Sequence, residues 1–388
     1  MISLNNPERS VPIIHVAGTN GKGSVCAYLS SILTTAGYRV GRFTSPHLVD
    51  WTERICLDNQ PISQERLLDV LQQVTEAINP NQETPTQFEV ITAAAFLYFA
   101  QEKVDVAVME VGLGGRLDST NVCDRPLVSV ITSISMDHWQ RLGKTLDKIA
   151  GEKAGILKQD CPAVIGEVPE IAAAVIREKT AQLNCPTTWV KNAETIEGNL
   201  VKYGDFEYAL PLLGDIQRQN SAVAIAAIDS LKKQGWHISD TAIREGIAKT
   251  KWAGRIEWRR WKNQYILIDG AHNGVAAEAL RSYVDTLPQP ITWVMGMLST
   301  KDHQNILQAL LRPGDQLHLV PVGGHSSANP SELGMMAQLI CSELENCCTY
   351  DELPQALDQA IATKQTIVLC GSLYLLGEFL SYETEIQD

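Results

Sequence analysis

The sequence predicts an α/β protein of two domains, each built on a mostly parallel sheet covered by helices. Three observations carry that expectation. Short apolar runs alternate with segments of helical period along most of the chain, the pattern of strands joined by crossover helices. The pattern halts at a polar segment, "AETIEGNLVKYGDFEYALPLLG", and restarts beyond "KTKWAGRIE" at residues 249–257. A chain of 388 residues, 45% apolar and 20% charged, is long enough to bury two cores of ordinary size.

In the first half the strand candidates are Pro12–Val16, Arg39–Phe43, Val104–Val111, Leu127–Ile134 and Ala163–Ile165, with helices over Lys22–Ala36, Leu67–Ile78 and Thr86–Gln101. The polar segment reads as hairpin material, and "RQNSAVAIAAIDSLKKQG" returns to helix. In the second half Ile256–Trp258, Tyr265–Asp269, Ile291–Met295, Gln316–Val320 and Thr366–Cys370 read as strands, with helices such as Val275–Thr286 and Leu353–Thr363 between them. The boundary is placed between residues 251 and 252, within roughly four residues. No internal repeat or low-complexity tract interrupts the pattern.

Composition excludes several classes of function. A net charge of -13 leaves no basic stripe for a nucleic-acid backbone. Anionic ligands must then be drawn by local lysines, backbone amides, helix ends or metal ions. The longest apolar runs, such as "VDVAVMEV", are too short to span a bilayer, and "MISLNNPERS" lacks the organisation of an export signal. Nine cysteines without C-x-x-C spacing read as reduced thiols of a cytoplasmic protein.

Apolar "PIIHV" runs into "AGTNGKGS" and then into the helical "VCAYLSSILTTAG". Strand, glycine turn and helix form the arrangement a phosphate binder needs: glycines let backbone amides approach the oxygens, and the helix N-terminus carries partial positive charge. Lys22 is placed to reach outer phosphates, and the Ser24 hydroxyl suits Mg²⁺. The spacing is not that of a Walker A loop, because Gly23 separates Lys22 from Ser24 and Val16 stands where the first glycine belongs.

Other stretches fall at strand ends. "TSPHL" follows "RVGRF"; Ser45 reads either as a hydroxyl ligand or as part of a turn made by Pro46. Glu110 ends "VDVAVMEV", where a carboxylate suits a hard cation. The following "GLGG" lacks the third spaced glycine of a dinucleotide fingerprint, since Arg116 stands there. His138 follows "LVSVITSIS"; histidine is an unusual partner for Mg²⁺, and a structural role is an equal reading. Lys153 lies on a helix, where lysine is ordinarily solvated. Thr86 and Glu89 have capping-box spacing. Asn220 sits near a helix start, where a capping role is an equal reading.

"HVAGTNGKGS" resembles the loop of the Mur-ligase superfamily, specifically its folylpolyglutamate synthase and dihydrofolate synthase branch. "FTSPHLVDWTERI", "TQFEVITAAAF", "EVGLGGRLDSTN", "SMDHWQRLG", "IAGEKAGILK", "AGRIE", "LIDGAHN" and "GSLYLLGEF" follow in the order of that family, so the resemblance spans residues 13–380. It implies a P-loop-type domain at 1–251 that binds Mg-ATP and folate, and a smaller Rossmann-like domain at 252–388 that closes over ATP and binds glutamate.

The resemblance also implies roles. Gly18, Thr19, Asn20, Gly21, Lys22, Gly23 and Ser24 would hold ATP phosphates, with Asn220, Arg255 and Asp269 completing the nucleotide site. Ser24, Ser45, Glu110, His138 and Lys153 would hold Mg²⁺, with two ions and a Lys153 carbamylated by CO₂ as the family's form. Thr86, Gln87, Phe88 and Glu89, then Leu117, Asp118 and Ser119, would line the pteroate pocket, and His272 would serve substrate in the second domain. Lys22, His138 and Lys153 are the implied catalytic group. The implied reaction is ATP-dependent addition of L-glutamate to a folate through an acyl phosphate, by a monomer. Whether dihydropteroate is a second acceptor stays open.

Two departures from the family stand out. Gly274 replaces the proline that normally follows "DGAHN", which should loosen the first turn of the next helix. About a dozen residues precede the first strand, where the family generally has an added helical segment on the pterin side. The expectations weighed against a folate ligase are a peptidoglycan-type ligase, for which no uridine-nucleotide domain is visible, a nucleotide-switched binding protein, and a non-catalytic relic.

Overall fold

The computed structural model describes residues 1–81 and 83–387. The chain forms two compact units, Met1–Pro211 with Ile216–Lys251, and Leu212–Asp215 with Trp252–Asp388.

In the first unit, β1 (Ile13–Ala17) leads through the glycine turn into α1 (Lys22–Thr35), followed by β2 (Val40–Phe43) and a hairpin of β3 (Ile55–Leu57) and β4 (Gln60–Pro61). Helices α2 (Gln64–Glu76) and α3 (Gln87–Gln101) precede β5 (Val106–Glu110) and β6 (Val128–Ile131). Then come α4 (Trp139–Leu142), α5 (Leu146–Ala154), β7 (Ala163–Ile165), α6 (Glu170–Gln182) and β8 (Thr187–Trp189). The polar segment is a three-stranded antiparallel meander, β9 (Glu194–Glu197), β10 (Leu200–Tyr203) and β11 (Phe206–Ala209), followed by α7 (Ile216–Lys233) and α8 (Asp240–Lys249).

The main sheet runs β4-β3-β2-β5-β1-β6-β7-β8. From β2 to β8 every pairing is parallel; the β3–β4 edge is antiparallel. Central β1 sets Val16 opposite Glu110 on one side and Ala17 opposite Ile131 on the other. All five of its residues are buried, so both faces are covered and, His15 apart, its sequence is apolar rather than alternating. Helix α1 is buried from Gly23 to Leu33 and packs against α7 and α8. At the α8 crossing a Cβ on Gly246 would overlap the backbone of Ile32, and Ser31 Oγ donates to the Gly246 carbonyl at 2.6 Å. That close approach fixes the axis of α1, and with it the loop at its N-terminus.

The second unit contains β12 (Glu257–Trp261), β13 (Gln264–Ile268), α9 (Gly274–Val284), β14 (Ile291–Met295), α10 (His303–Leu310) and β15 (Gln316–Leu319). It ends with α11 (Pro330–Ile340), β16 (Asn346–Thr349), α12 (Leu353–Ala362), β17 (Thr366–Cys370) and α13 (Leu373–Gln387). Its sheet runs β12-β13-β17-β14-β15-β16, antiparallel at β12–β13 and parallel elsewhere. Fully buried Trp293, Ile306, Leu317 and Val368 belong to its core.

Several element boundaries differ from expectation for identifiable reasons. Strand β6 stops at Ile131, not Ile134: the Thr132 amide still reaches the Ala17 carbonyl, but the Ser133 carbonyl and the Ser135 amide turn to the glycine loop. Helix α2 starts at Gln64, where Ser63 Oγ accepts the Arg66 amide. Strand β12 begins at Glu257 because Ile256 takes φ 45°, outside strand geometry. Among the described residues no helix is long and apolar enough to cross a membrane. The nine cysteines are free.

Candidate active site

The glycine loop of the first unit is stitched to the segment after β6. Thr19 N donates to the Ser133 carbonyl at 2.8 Å, Asn20 N to Ser133 Oγ at 3.0 Å, and Thr132 Oγ1 to the Asn20 carbonyl at 2.6 Å. Thr19 Oγ1 accepts the Ser135 amide at 3.1 Å. Thr132, Ser133 and Ser135 were not singled out from the sequence, although a Ser/Thr run directly after a buried strand was visible there. Gly18 and Gly21 are required by close approach: a Cβ on Gly18 would overlap Thr132 Oγ1, and one on Gly21 would overlap Asn220 Oδ1. Gly21 also caps α1 with φ 85°, a left-handed conformation that glycine adopts without penalty.

Charges collect around this loop. Lys22 Nζ donates to the Thr19 carbonyl at 3.2 Å and lies 4.0 Å from Glu110 Oε1. Glu110 Oε2 accepts the Ser45 amide at 3.1 Å, so the ends of β5 and β2 meet at one carboxylate. Lys153 is not the solvated residue expected of a helix surface. It is only 4% exposed, and its Nζ donates to the Gly18 carbonyl at 2.7 Å. Burial, reinforced by the positive charge of Lys22, pulls its ammonium down to about 7, while Asp137 and Asp118 oppose the shift. Asp137 was missed in the sequence. His138 caps the short α4 in a left-handed conformation, φ 49°, with Nε2 3.9 Å from Asp137 Oδ1.

Gly23 and Ser24 are buried in the first turn of α1. Asn220 is not a helix cap: α7 begins at Ile216, and Asn220 Nδ2 donates to Gln217 Oε1 at 3.0 Å while Gln217 Nε2 approaches Ser24 Oγ at 3.5 Å. The cap reading failed because the helix starts a full turn earlier. Asn220 therefore joins Gly21 and Ser24 at the loop.

Thr86 and Glu89 form a complete capping box: Thr86 Oγ1 accepts the Glu89 amide and Glu89 Oε2 accepts the Thr86 amide. Bonds from the Thr86 amide and then its hydroxyl hold the Glu89 carboxyl below the usual range. Gln87 is exposed, and the Phe88 ring packs so closely on Gly112 that a Cβ there would overlap it. Leu117 is 79% exposed, on the loop after β5 that also carries half-buried Asp118 and Ser119.

In the second unit Asp269 is buried at the end of β13. Its Oδ2 accepts the Ile256 amide and its Oδ1 the Ala271 amide, each at 2.8 Å. Burial raises its carboxyl, against the lowering effect of Arg255 and those two amides. Arg255 Nη1 donates to the Gly254 carbonyl at 2.8 Å. His272 Nδ1 donates to the Gly270 carbonyl at 2.7 Å, which makes Nδ1 the protonated nitrogen. Asn273 Oδ1 accepts the Ala276 amide at 2.9 Å, so α9 starts at Gly274 with a capped first turn.

The donors near the phosphate loop fit a magnesium ion. Ser24, Ser45 and Glu110 offer the hard oxygens Mg²⁺ prefers, whereas His138 offers a softer nitrogen. Among the described residues no three His, Cys, Asp or Glu side chains gather as a metal cluster.

Residues 16–228 match the Mur ligase middle domain and residues 255–382 the C-terminal domain of dihydrofolate synthetase. Dihydrofolate synthetase of Saccharomyces cerevisiae is 37% identical over 97% of this chain and 94% of its own. Dihydrofolate synthase/folylpolyglutamate synthase of Bacillus subtilis is 36% identical over 97% and 92%. Folylpolyglutamate synthase of Mycobacterium tuberculosis, solved with ADP and AMPPCP, superposes with a TM-score of 0.88 at 32% identity, covering 97% of this chain and 92% of that one. E. coli FolC, solved with DHPP and ADP, gives 0.87 at 30%, covering 100% and 93%. A match of this extent over both units makes the chain a member of the dihydrofolate synthase/folylpolyglutamate synthase branch of the Mur ligases, a family of ATP-dependent ligases.

Proposed function

We propose that this chain joins L-glutamate to a tetrahydrofolate-type acceptor with ATP, and that the paired assay below decides whether dihydropteroate is a second acceptor. The observation that carries the reading is the gathering of Lys22, Glu110 and Lys153 around the backbone of the glycine loop. A cation, a buried amine and one carboxylate on a turn of backbone amides suit a triphosphate with its metal ion.

The acceptor's carboxylate oxygen attacks the γ-phosphorus, its bond to the bridging oxygen breaks, and ADP departs. Lys22 and the amides at the start of α1 offset the charge on the transferring group, which calls for positioning rather than covalent protein chemistry. The amino group of glutamate then attacks the acyl carbon, the bond to phosphate breaks, and a proton leaves the nitrogen. In the first unit Asn220 serves the nucleotide, and Thr86–Glu89 and Leu117–Ser119 line the acceptor pocket; in the second unit Arg255 and Asp269 serve the nucleotide and His272 the substrate. Excluding water protects the acyl phosphate from hydrolysis.

Ser24, Ser45 and Glu110, with His138, would hold one Mg²⁺, and a carbamylated Lys153 a second; such ions neutralise phosphate charge. The environment of Lys153 supports the modification, since a lysine held near 7 has much of its amine neutral at physiological pH. The neutral nitrogen adds to CO₂ and loses a proton.

The test is ADP release with ATP, Mg²⁺, glutamate and either tetrahydrofolate or dihydropteroate. Release should require both acceptor and glutamate. Turnover of ATP independent of both sinks the reading, and activity with tetrahydrofolate alone removes dihydropteroate as an acceptor.

A further inference from the structure

The loop after β5 is tied to the centre of the sheet by a buried relay that the reaction as described does not use. His15, in the middle of β1, is 1% exposed, and its Nε2 lies 2.8 Å from Thr120 Oγ1. Thr120 is itself fully buried, and its hydroxyl donates to Asp118 Oδ1 at 2.6 Å. A carboxylate oxygen can only accept here, so the single hydroxyl proton of Thr120 points to Asp118. The His15 ring must then donate, which assigns the proton to Nε2.

Asp118 spends its acceptors on its own loop. Oδ1 also takes the Thr120 amide at 3.0 Å, and Oδ2 takes the Leu113 amide at 2.8 Å. The loop has a second tether, to α5: Arg116 N donates to the Glu152 carbonyl at 2.8 Å, and Asn121 Nδ2 reaches the Gly155 carbonyl at 3.1 Å. Lys153, between those two anchors, holds the Gly18 carbonyl. The loop is thus suspended between β1 and α5, the two elements that also border the glycine loop.

We propose that His15 is a positioning residue: through Thr120 it fixes Asp118, and so sets the shape of the Gly112–Asn121 loop against which the acceptor binds. This rests on the reading of Leu117–Ser119 as acceptor wall. The ring is unsuited to proton transfer, because burial, with Lys158 nearby, holds it neutral with its pKa down at about 3. It acts by geometry.

The experiment uses the full chain with H15L and T120V, which delete the donor and the hydroxyl, against H15Q and T120S, which restore them. Hydrogen exchange at the Leu113 and Thr120 amides reads the anchor without any substrate. Both deletions should speed that exchange and raise the acceptor KM about tenfold, with the ATP KM within about twofold. H15Q and T120S should recover most of the loss. H15L/T120V should be no worse than T120V alone, because the two residues form one chain. If H15L fails to fold, the T120V and T120S pair carries the test. Unchanged exchange, or ATP and acceptor KM rising together, overturns the proposal. Faster exchange with an unchanged acceptor KM overturns it by a different route, striking the assignment of the loop to the acceptor.

Discussion

Lys153 Nζ donates to the Gly18 carbonyl at 2.7 Å across 135 positions of sequence, from inside a helix to the first residue after the central strand. The bond makes a buried amine part of the phosphate loop. Burial makes that same amine a pH-dependent cost. With the folded-state value pulled from 10.5 to about 7, the charged form is disfavoured by folding. Below about pH 7 the folded protein must carry the buried charge, and the cost is fully present. Between about 7 and 10.5 the unfolded chain binds more protons than the folded one, so stability rises with pH.

K153M removes the charge and should therefore raise the melting temperature of metal-free protein at pH 6.5. The gain should reach at most on the order of 4 kcal/mol, less about 1 kcal/mol for the lost bond to Gly18. It should fade as pH climbs toward 10.5. Ligase activity should fall by at least about a hundredfold in the same variant. Thermal unfolding across pH with EDTA checks the first point; a gain that grows with pH would contradict it.

Gly21 and Gly37 separate two meanings of a left-handed glycine. Both have positive φ, 85° and 92°, but Gly21 faces Asn220 whereas nothing lies within 4 Å of a Cβ on Gly37. G37A should cost only backbone strain, about 1 kcal/mol, and leave nucleotide affinity intact. G21A adds the collision with Asn220 and should weaken ATP binding by at least about tenfold, read by calorimetry. Equal effects from the two substitutions would mean that close packing at the loop is unimportant.

The strand–turn–helix around Lys22 was legible because its information is local: an apolar run, three glycines and a helical period lie within 25 residues. Glu110 was legible for the same reason, as the polar end of an apolar strand. What the sequence hid depends on pairing distant segments. Thr132 and Ser133 support Asn20 across more than a hundred positions, and no periodicity announces that. The burial of Lys153 is invisible in the helical pattern, where a lysine is ordinarily solvated; only the packing of α5 against the loop makes it buried. Short strands such as β4 and β16 escaped notice because two to four partly polar residues carry no usable alternation.

Asp269 was expected to serve the nucleotide, and its carboxylate already accepts two backbone amides. One of them belongs to Ile256, a branched residue held at φ 45°. D269A would leave both amides buried without an acceptor, at about 1–3 kcal/mol each. The released Ile256 should then relax, shifting adjacent Arg255. Urea unfolding should show the stability loss, and the ATP KM should rise with it. An ATP KM unchanged in a destabilised D269A would confine Asp269 to structure.

The buried ion pair of Arg281 and Asp315 offers an asymmetric test of the second unit. Asp315 Oδ2 receives Arg281 Nη1 at 3.2 Å, Trp293 Nε1 at 2.9 Å and the Arg312 amide at 3.1 Å, while Oδ1 receives the Ile291 amide at 3.0 Å. Arg281 has other acceptors, including the Leu310 carbonyl and Asp285. Removing the carboxylate orphans three neutral donors and strips the guanidinium of its buried counter-charge. Removing the guanidinium leaves Asp315 with three donors still in place. D315A should therefore cost more than R281A, about 3–5 kcal/mol against roughly half of that. Since loss of one partner of a buried pair is dominated by what remains unsatisfied, equal costs in urea unfolding would show that the Coulombic term, rather than the stranded donors, governs this core.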